Sequence, residues 1–394
     1  GRFGKWLENL QDWNLSRSRY WGTPLPIWVS EDRTEMKCIG SVEELYNEIE
    51  KSVKAGFMKE NPIADFIVGD NSKENYEKID LHRPYVDYVV LVSDSGKKMV
   101  RELDLIDVWF DSGAMPYAQL HYPFQNKEGF DQVFPADFIA EGVDQTRGWF
   151  YSLLAISTFL FDERSYKNVL TLGLILDENN QKMSKSKRNY VNPDIILDKE
   201  GADALRWYLV SANAPWMSTR FYEQAVKETL GKFILTFWNS YNFFATYASL
   251  DKFDINKDQI SFDERKPLDK WIISRYNNLI KKVRKHIKKF EVHKAARQIE
   301  NFVIEDFSNW YLRRSRKRLW TEEKNDDKLA AYSTMYEIFL GISKLMAPFI
   351  PFITEEIYQN IKTDQMKESI HLCDYEKSDK KHIDEGLEEG MEKI

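Results

Sequence analysis

Cysteine is nearly missing. Cys38 and Cys373 are the two in 394 residues, and they stand far apart without ligand-like spacing. That argues against a disulfide scaffold and a cysteine-based zinc knuckle and fits a reducing cytoplasm. Long apolar runs are missing too. None approaches the roughly 20 residues that cross a bilayer, so no membrane partner is expected, and no basic-then-apolar signal opens the chain. Neither glycine-rich phosphate device occurs, Gly-x-x-x-x-Gly-Lys-Ser/Thr or Gly-x-Gly-x-x-Gly. A kinase, a P-loop ATPase and a dinucleotide dehydrogenase therefore fit badly. Excess positive charge is also lacking, the formal net charge being −7. That mean excludes little, because nucleic-acid affinity comes from local basic stripes. Internal repeats and coiled-coil heptads are absent.

Apolar material is plentiful: 43% of residues are hydrophobic and 14% aromatic, enough for the cores of two or three domains in 394 residues. The chain opens on Arg2-Phe3-Gly4-Lys5-Trp6-Leu7 without an initiator methionine. It closes on acidic Asp384-Glu385-Gly386-Leu387-Glu388-Glu389 with no apparent terminating element. Both ends are expected to be cut from something longer.

Residues 1–30 predict a short helix near Lys5 to Asp12, then an edge or terminal strand from Trp21 to Trp28, since Pro24 and Pro26 cannot donate to a central ladder. Residues 31–103 read as an insertion, with a helix over Val42 to Lys51 and a hairpin over Val86 to Met99 turning at Ser93-Asp94-Ser95-Gly96. Residues 104–219 alternate. Strands are expected over Phe134 to Ala140 and Asn168 to Leu176, helices over Asp144 to Phe161 and Gly201 to Val210, with a turn at Asp177 to Asn180. That alternation predicts an α/β unit on a parallel sheet. Residues 220–394 are helical throughout. Leu268, Ile272, Tyr276, Leu279, Val283 and Ile287 share one face; Ala296, Ile299, Phe302, Val303, Phe307, Trp310 and Tyr311 share another; Tyr332 to Met346 makes a third helix. Short connections predict an antiparallel bundle. The fold class is thus α/β followed by all-α.

Lys182-Met183-Ser184-Lys185-Ser186 carries the chemistry. It follows a strand and a turn, so its cations and hydroxyls stand at the carboxyl edge of a sheet, where ligands of open α/β folds bind. Attack at an ATP α-phosphorus spreads negative charge over the departing pyrophosphate. Lysines on a mobile segment can meet that charge as it develops and then withdraw. By composition alone, an ordinary solvated loop accounts for the pentapeptide equally well.

In this loop the chain resembles the class I aminoacyl-tRNA synthetases, whose second signature it matches. Glu141-Gly142-Val143-Asp144-Gln145-Thr146-Arg147-Gly148-Trp149-Phe150 is similar to the isoleucyl branch in the segment that faces the aminoacyl-adenylate. Ser16-Arg17-Ser18-Arg19-Tyr20-Trp21-Gly22-Thr23-Pro24 and Asp107-Val108-Trp109-Phe110-Asp111-Ser112-Gly113 match two further stretches. Ala347-Pro348-Phe349-Ile350-Pro351-Phe352-Ile353-Thr354-Glu355-Glu356 resembles the signature of the anticodon-binding domain. The resemblance implies the second half of a Rossmann-like nucleotide-binding domain, carrying the insertion, and then a helical-bundle anticodon-binding domain. No histidine stands in the His-x-Gly-His motif of this family. The first half of the nucleotide fold and the editing domain are therefore expected outside these 394 residues, and the chain alone is expected to be largely inactive.

Residue by residue, the resemblance makes Lys182 and Lys185 catalytic. It gives Glu141, Gly142, Asp144, Gln145, Met183, Ser184 and Ser186 to ATP and the adenylate. On their own, Glu141, Asp144 and Gln145 read more readily as an acidic helix N-terminus than as a site. Trp109 and Trp149 are core residues by default, and walls of the isoleucine pocket by resemblance; flat rigid walls suit a branched alkane. Arg147 is expected to pair with Glu141 or Asp144, and His121 to be structural. Two basic clusters remain: Lys281, Lys282, Arg284, Lys285, Lys288 and Lys289, and then Arg313, Arg314, Arg316, Lys317 and Arg318. The first reads as a solvated face as readily as an RNA contact. The second follows Trp310 and Tyr311 and contains no acid, so tRNA phosphate contact is expected there. ATP with Mg²⁺ as its counter-ion, isoleucine and an isoleucine tRNA are the implied ligands of a monomer, with no metal site of its own. A valyl-type synthetase and a catalytically dead tRNA-binding module stay open as rivals.

Overall fold

The computed structural model describes residues 2–184 and 186–393, so Lys185 lies outside the described residues. The chain divides into two compact units, residues 1–169 and 170–394.

The first unit holds a four-stranded antiparallel sheet in the order Met36–Cys38, Ile27–Ser30, Lys98–Arg101, Val90–Val92. The Val42–Lys54 helix covers it, starting where Ser41 accepts from Glu44 N while the Glu44 carboxylate accepts from Gly40 N, a variant of the capping box. Trp28, Leu45, Ile49, Val89, Leu91 and Met99 fill the space between helix and sheet. The hairpin turns as expected, with Gly96 at φ +83°, a conformation that glycine adopts without steric cost. The strand after Trp21 is central rather than edge. Its first paired residue is Ile27, opposite Cys38, so both prolines precede the ladder and deprive it of no donor. The sheet thereby recruits Ile27–Ser30 from ahead of the expected insertion.

Elsewhere in this unit the first helix is Arg2–Leu7 and ends well before Asp12. The expected strand from Phe134 is confined to Ile139–Gly142. The expected helix over 144–161 is two pieces, a 3₁₀ turn Val143–Arg147 and an α-helix Trp149–Phe161, broken at Gly148. The Val108–Ala118 and Trp149–Phe161 helices cross closely at Gly113, where a Cβ would meet Ser152 carbonyl atoms at 2.9 Å and Ile156 Cδ1 at 2.8 Å.

The expected strand over 168–176 is also divided, into Val169–Leu172 and Ile175–Leu176. Gly173 separates them because the 215–218 segment passes over it; a Cβ there would stand 2.2 Å from Met217 O. Ile175–Leu176 pairs in parallel with Thr219–Arg220. The helices that follow include Leu235–Leu250, Pro267–Ile287, Val292–Asn301 and Asp326–Met346, packed on a core rich in Phe237, Ile272, Phe307, Phe339 and Ile342. The face predicted from Ala296 to Tyr311 runs on through a π-helical stretch, Phe302–Leu312, into Arg313–Leu319. The Ala202–Ser211 helix is braced against the Ala347–Glu356 segment. Arg206 Nε donates to Phe349 O at 2.7 Å, and Asp203 accepts from Ile353 N at 2.7 Å. The closing acidic stretch forms a helix, Glu385–Met391, capped by Asp384. Its Glu388 accepts from Ser274 Oγ and from Asn278 Nδ2 at 2.8 Å. Among the described residues no helix is long and apolar enough to cross a membrane.

Candidate active site and RNA-facing surface

In the first unit, the end of the Ile139–Gly142 strand, the 3₁₀ turn and the first turn of the next helix present Glu141, Asp144, Gln145 and Trp149 in succession. A Cβ at Gly142 would stand 2.5 Å from Asp144 Oδ1, so a side chain there would push the carboxylate off the strand end. Gln145 Nε2 donates to Asp144 Oδ2 at 3.1 Å, and Gln145 Oε1 accepts from Trp149 N at 3.1 Å. The amide thus orients the carboxylate with one end and caps the following helix with the other. Glu141 and Asp144 are exposed, and among the described residues no ion pair joins either to Arg147.

Trp109 and Trp149 are not core residues. Trp109 is 41% exposed, and Trp149, half-buried, donates through Nε1 to Ser112 O at 2.9 Å. Asp107, which the sequence did not single out as a site residue, organises this region. It is 3% exposed and accepts from Trp13 Nε1 at 2.9 Å, from Arg17 Nη2 at 2.5 Å and from Trp109 N at 3.2 Å. The last bond caps the Val108–Ala118 helix and aims Trp109. A cavity of about 300 Å³ lies here, lined in part by Trp13, Asp107, Trp109, Gly148 and Tyr151. His121 is structural, as expected, with Nδ1 3.1 Å from Gln125 Oε1.

The lysine–serine loop belongs to the second unit. It is built around Asp177 and Asn189, both missed by the sequence reading. Asp177 Oδ1 accepts from Asn179 N at 2.9 Å and from Gln181 N at 2.8 Å, closing the turn. Those backbone donors, with Asn189 beside them, hold the Asp177 carboxyl below its usual range. Asn189 Nδ2 donates to Asp177 Oδ2 at 2.7 Å and to Lys182 O at 3.3 Å, while its Oδ1 accepts from Ser184 N at 3.0 Å. Lys182 is exposed, and the Ser184 and Ser186 hydroxyls lie 3.1 Å apart. Met183 packs against the small core of Ile196, Ala204, Phe221 and Val226. Its side chain therefore anchors the loop, whereas the sequence assigned it to the nucleotide.

The two basic clusters separate. Arg313, Arg314, Arg316 and Lys317 are exposed. Arg314 lies over the Trp310 ring at 3.9 Å and Arg316 over Phe243 at 5.8 Å. Arg318 departs from the expectation of a phosphate contact: it turns inward and grips Asp269 with two bonds of 2.8 Å, because Asp269 is wholly buried and needs a counter-charge. In the first cluster Arg284 donates to Glu376 O at 2.8 Å. Lys281, Lys282 and Lys285 share a groove of about 440 Å³ with Glu385, Glu388, Glu389 and Glu392. Facing acids favour the solvated-face reading of that cluster.

Residues 1–218 match the family model for class I tRNA synthetases (I, L, M and V), and residues 269–394 match that for the anticodon-binding domain of tRNA ligase. The chain belongs to the class I tRNA synthetases of this group. Within it, the chain is similar to isoleucine–tRNA ligases: it is 54% identical to that of Porphyromonas gingivalis over 394 residues and 49% identical to that of Clostridium acetobutylicum over 395. These alignments cover 100% and 99% of this chain but 34% and 36% of the relatives, so the chain spans about a third of their length. The fold is shared with a solved LeuRS–tRNA–LeuAMS ternary complex from Agrobacterium radiobacter K84, at TM-score 0.65 and 18% identity over 95% of this chain and 43% of the other. It is shared too with methionyl-tRNA synthetase of Mycobacterium tuberculosis bound to methionyl-adenylate, at TM-score 0.53 and 16% identity over 80% and 61%.

Proposed function

We propose that this chain supplies the lysine–serine loop, the adenylate-facing segment and the anticodon-binding helices of an isoleucine–tRNA ligase acting in the cytoplasm as a monomer. The observation that carries the reading is the ordered Glu141–Trp149 segment. There a glycine, a carboxylate, an amide and an indole are tied together by hydrogen bonds, which supports the reading that they receive a ribose, an α-amino group and an aliphatic side chain. The isoleucine carboxylate attacks the α-phosphorus of ATP, and pyrophosphate leaves with its Mg²⁺ counter-ion. A terminal ribose hydroxyl of the tRNA then attacks the activated carbonyl, forming the ester and releasing AMP.

In this scheme Lys182 and Lys185 neutralise the charge that grows on the departing pyrophosphate, and Ser184 and Ser186 add hydrogen bonds. Gly142 and Asp144 receive the ribose, Glu141 its rim, and Gln145 the α-amino group, with Trp109 and Trp149 as walls for the side chain. One methylene in such a pocket is worth about 10–200-fold in discrimination. Isoleucyl enzymes are themselves the standard illustration of that range, so it is no deduction from this pocket.

The domains are residues 1–30 and 104–219 for the second half of a Rossmann-like parallel sheet, 31–103 for its insertion, whose own sheet also takes in Ile27–Ser30, and 220–394 for an antiparallel helical bundle that binds the anticodon arm. Arg313, Arg314, Arg316 and Lys317 contact tRNA phosphates. The test is Lys182→Ala in the full-length polypeptide. Isoleucine-dependent ATP–pyrophosphate exchange should lose on the order of 10²–10³-fold in kcat, the cost of removing one preorganised donor, with little change in the KM for isoleucine. An unchanged kcat would remove Lys182 from the mechanism.

A further inference from the structure

Gly148 sits where three groups of the proposed pocket meet, and it has no room for a side chain. A Cβ there would stand 2.8 Å from Gln145 Oε1, 3.0 Å from Trp109 Cη2 and 3.3 Å from Trp109 Cζ3. The backbone and the Gln145 amide are tethered, and Trp109, which is 41% exposed, is held through its backbone. Gly148 is buried, its N–H donates to Gln145 O at 3.1 Å, and its carbonyl accepts from Tyr151 N at 3.1 Å and Ser152 N at 3.0 Å. Gln145 Oε1 is held by Trp149 N at 3.1 Å. Trp109 stands in the first turn, its N–H held by the Asp107 cap, on a helix that packs closely on its neighbour at Gly113.

We propose that Gly148 is a specificity-determining residue. Lacking a side chain, it lets the benzo ring of Trp109 rest directly on the backbone between Gln145 and Trp149, and so sets the width available to an aliphatic amino acid. The inference rests on the reading of Trp109 and Trp149 as pocket walls. A methyl group at this position must displace the indole, the Gln145 amide or both. Packed interiors register displacements of a few tenths of an ångström, and such a shift acts on the methylene that separates isoleucine from valine.

Three variants test this: Gly148→Ala, Trp109→Phe, and the double variant. Phenylalanine carries neither Cη2 nor Cζ3 of the indole, so it removes the atoms that the new methyl would strike. In thermal unfolding of the chain, the double variant should lose clearly less than the sum of the single losses. If Gly148→Ala alone fails to fold, recovery of folding by Trp109→Phe supports the same contact. In the full-length polypeptide, Gly148→Ala should raise the KM for isoleucine about tenfold and lower the isoleucine-over-valine ratio of kcat/KM by a similar factor. The KM for ATP should stay put, and Trp109→Phe should return part of the loss. Strict additivity in unfolding and in kinetics overturns the proposal. Coupling in unfolding with isoleucine and valine affected equally overturns the specificity role while leaving the contact; the reading of the indoles as pocket walls falls separately, if Trp109→Phe alone leaves the KM for isoleucine unchanged.

Discussion

Asn189 makes three hydrogen bonds with one side-chain amide: to the Asp177 carboxylate, to the Lys182 carbonyl and from the Ser184 amide. It thus fixes where the loop leaves its strand and where it turns back, while Lys182 itself stays exposed. Asn189→Ala in the full-length polypeptide should lower kcat for ATP–pyrophosphate exchange about tenfold or more, since misplacing a charge-stabilising group costs transition-state contacts. The KM for isoleucine and the melting temperature should barely move. A change in KM with kcat preserved would show that Asn189 shapes substrate binding and not the loop. At this scale the sequence was half legible. Lysines and serines beside a turn suit phosphate chemistry and a solvated loop equally by composition, and only the resemblance separates the two. Asp177 and Asn189 are unremarkable polar loop residues until the coordinates bring them together. Gly142 and Gly148 were likewise quoted in a motif without a reason, and the reason is the neighbour each one leaves room for.

Elements were legible where periodicity ruled them. Leu268 to Ile287 appears as the Pro267–Ile287 helix, because one apolar face buried in the core fixes both its existence and its length. The misreadings fall where tertiary contacts cut an element: at Gly148, at Gly173, and at the prolines that stand just ahead of a central strand. Arg318 is the same lesson in charge. A run without acids reads as a phosphate contact throughout, yet Asp269, 49 residues away in sequence, draws one arginine inside, and Tyr311 Oη adds a third bond to that carboxylate at 2.6 Å. Removing Asp269 takes away the bidentate partner of Arg318 and leaves it Asp327 at 2.9 Å, so Asp269→Ala should cost about 3 kcal/mol in urea unfolding, the low end for breaking a buried pair. A loss below about 1 kcal/mol would show that water reaches Arg318 freely.

A second element-scale prediction concerns His293. It is buried edge-on against Trp216, with Nδ1 unpartnered. Burial, reinforced by Arg297 and Lys294, holds its pKa below the usual 6.5. The unfolded chain therefore binds the proton more readily. The contribution of His293 is fully present above pH 6.5 and is lost as pH falls towards its folded-state pKa. Stability of the wild-type chain should drop through this window more than that of His293→Gln; equal slopes would mean that His293 keeps an ordinary pKa when folded.

For the whole molecule, the mean charge of −7 hides a division of labour among cations. Lys281, Lys282 and Lys285 face the glutamates of the Glu385–Met391 helix, whereas Arg313, Arg314, Arg316 and Lys317 are open, with Trp310 and Phe243 beneath two of them. Each of the four that contacts a tRNA phosphate should, when changed to alanine, lower the slope of log affinity against log salt by about 0.7–0.9. Lys281→Ala and Lys285→Ala should leave that slope unchanged, and the opposite pattern would move the RNA-facing surface to the other helix. Charge sign along the sequence could not make this distinction, because the acids that face the first cluster lie about 100 residues further on. The central claim, that these residues belong to an isoleucine-activating enzyme, is tested most directly by amino-acid-dependent ATP–pyrophosphate exchange in the full-length polypeptide. The account predicts that isoleucine has the highest kcat/KM, above valine by a factor on the order of a hundred, with leucine and methionine lower still. A preference for valine, leucine or methionine, or exchange with none of the four, would contradict it.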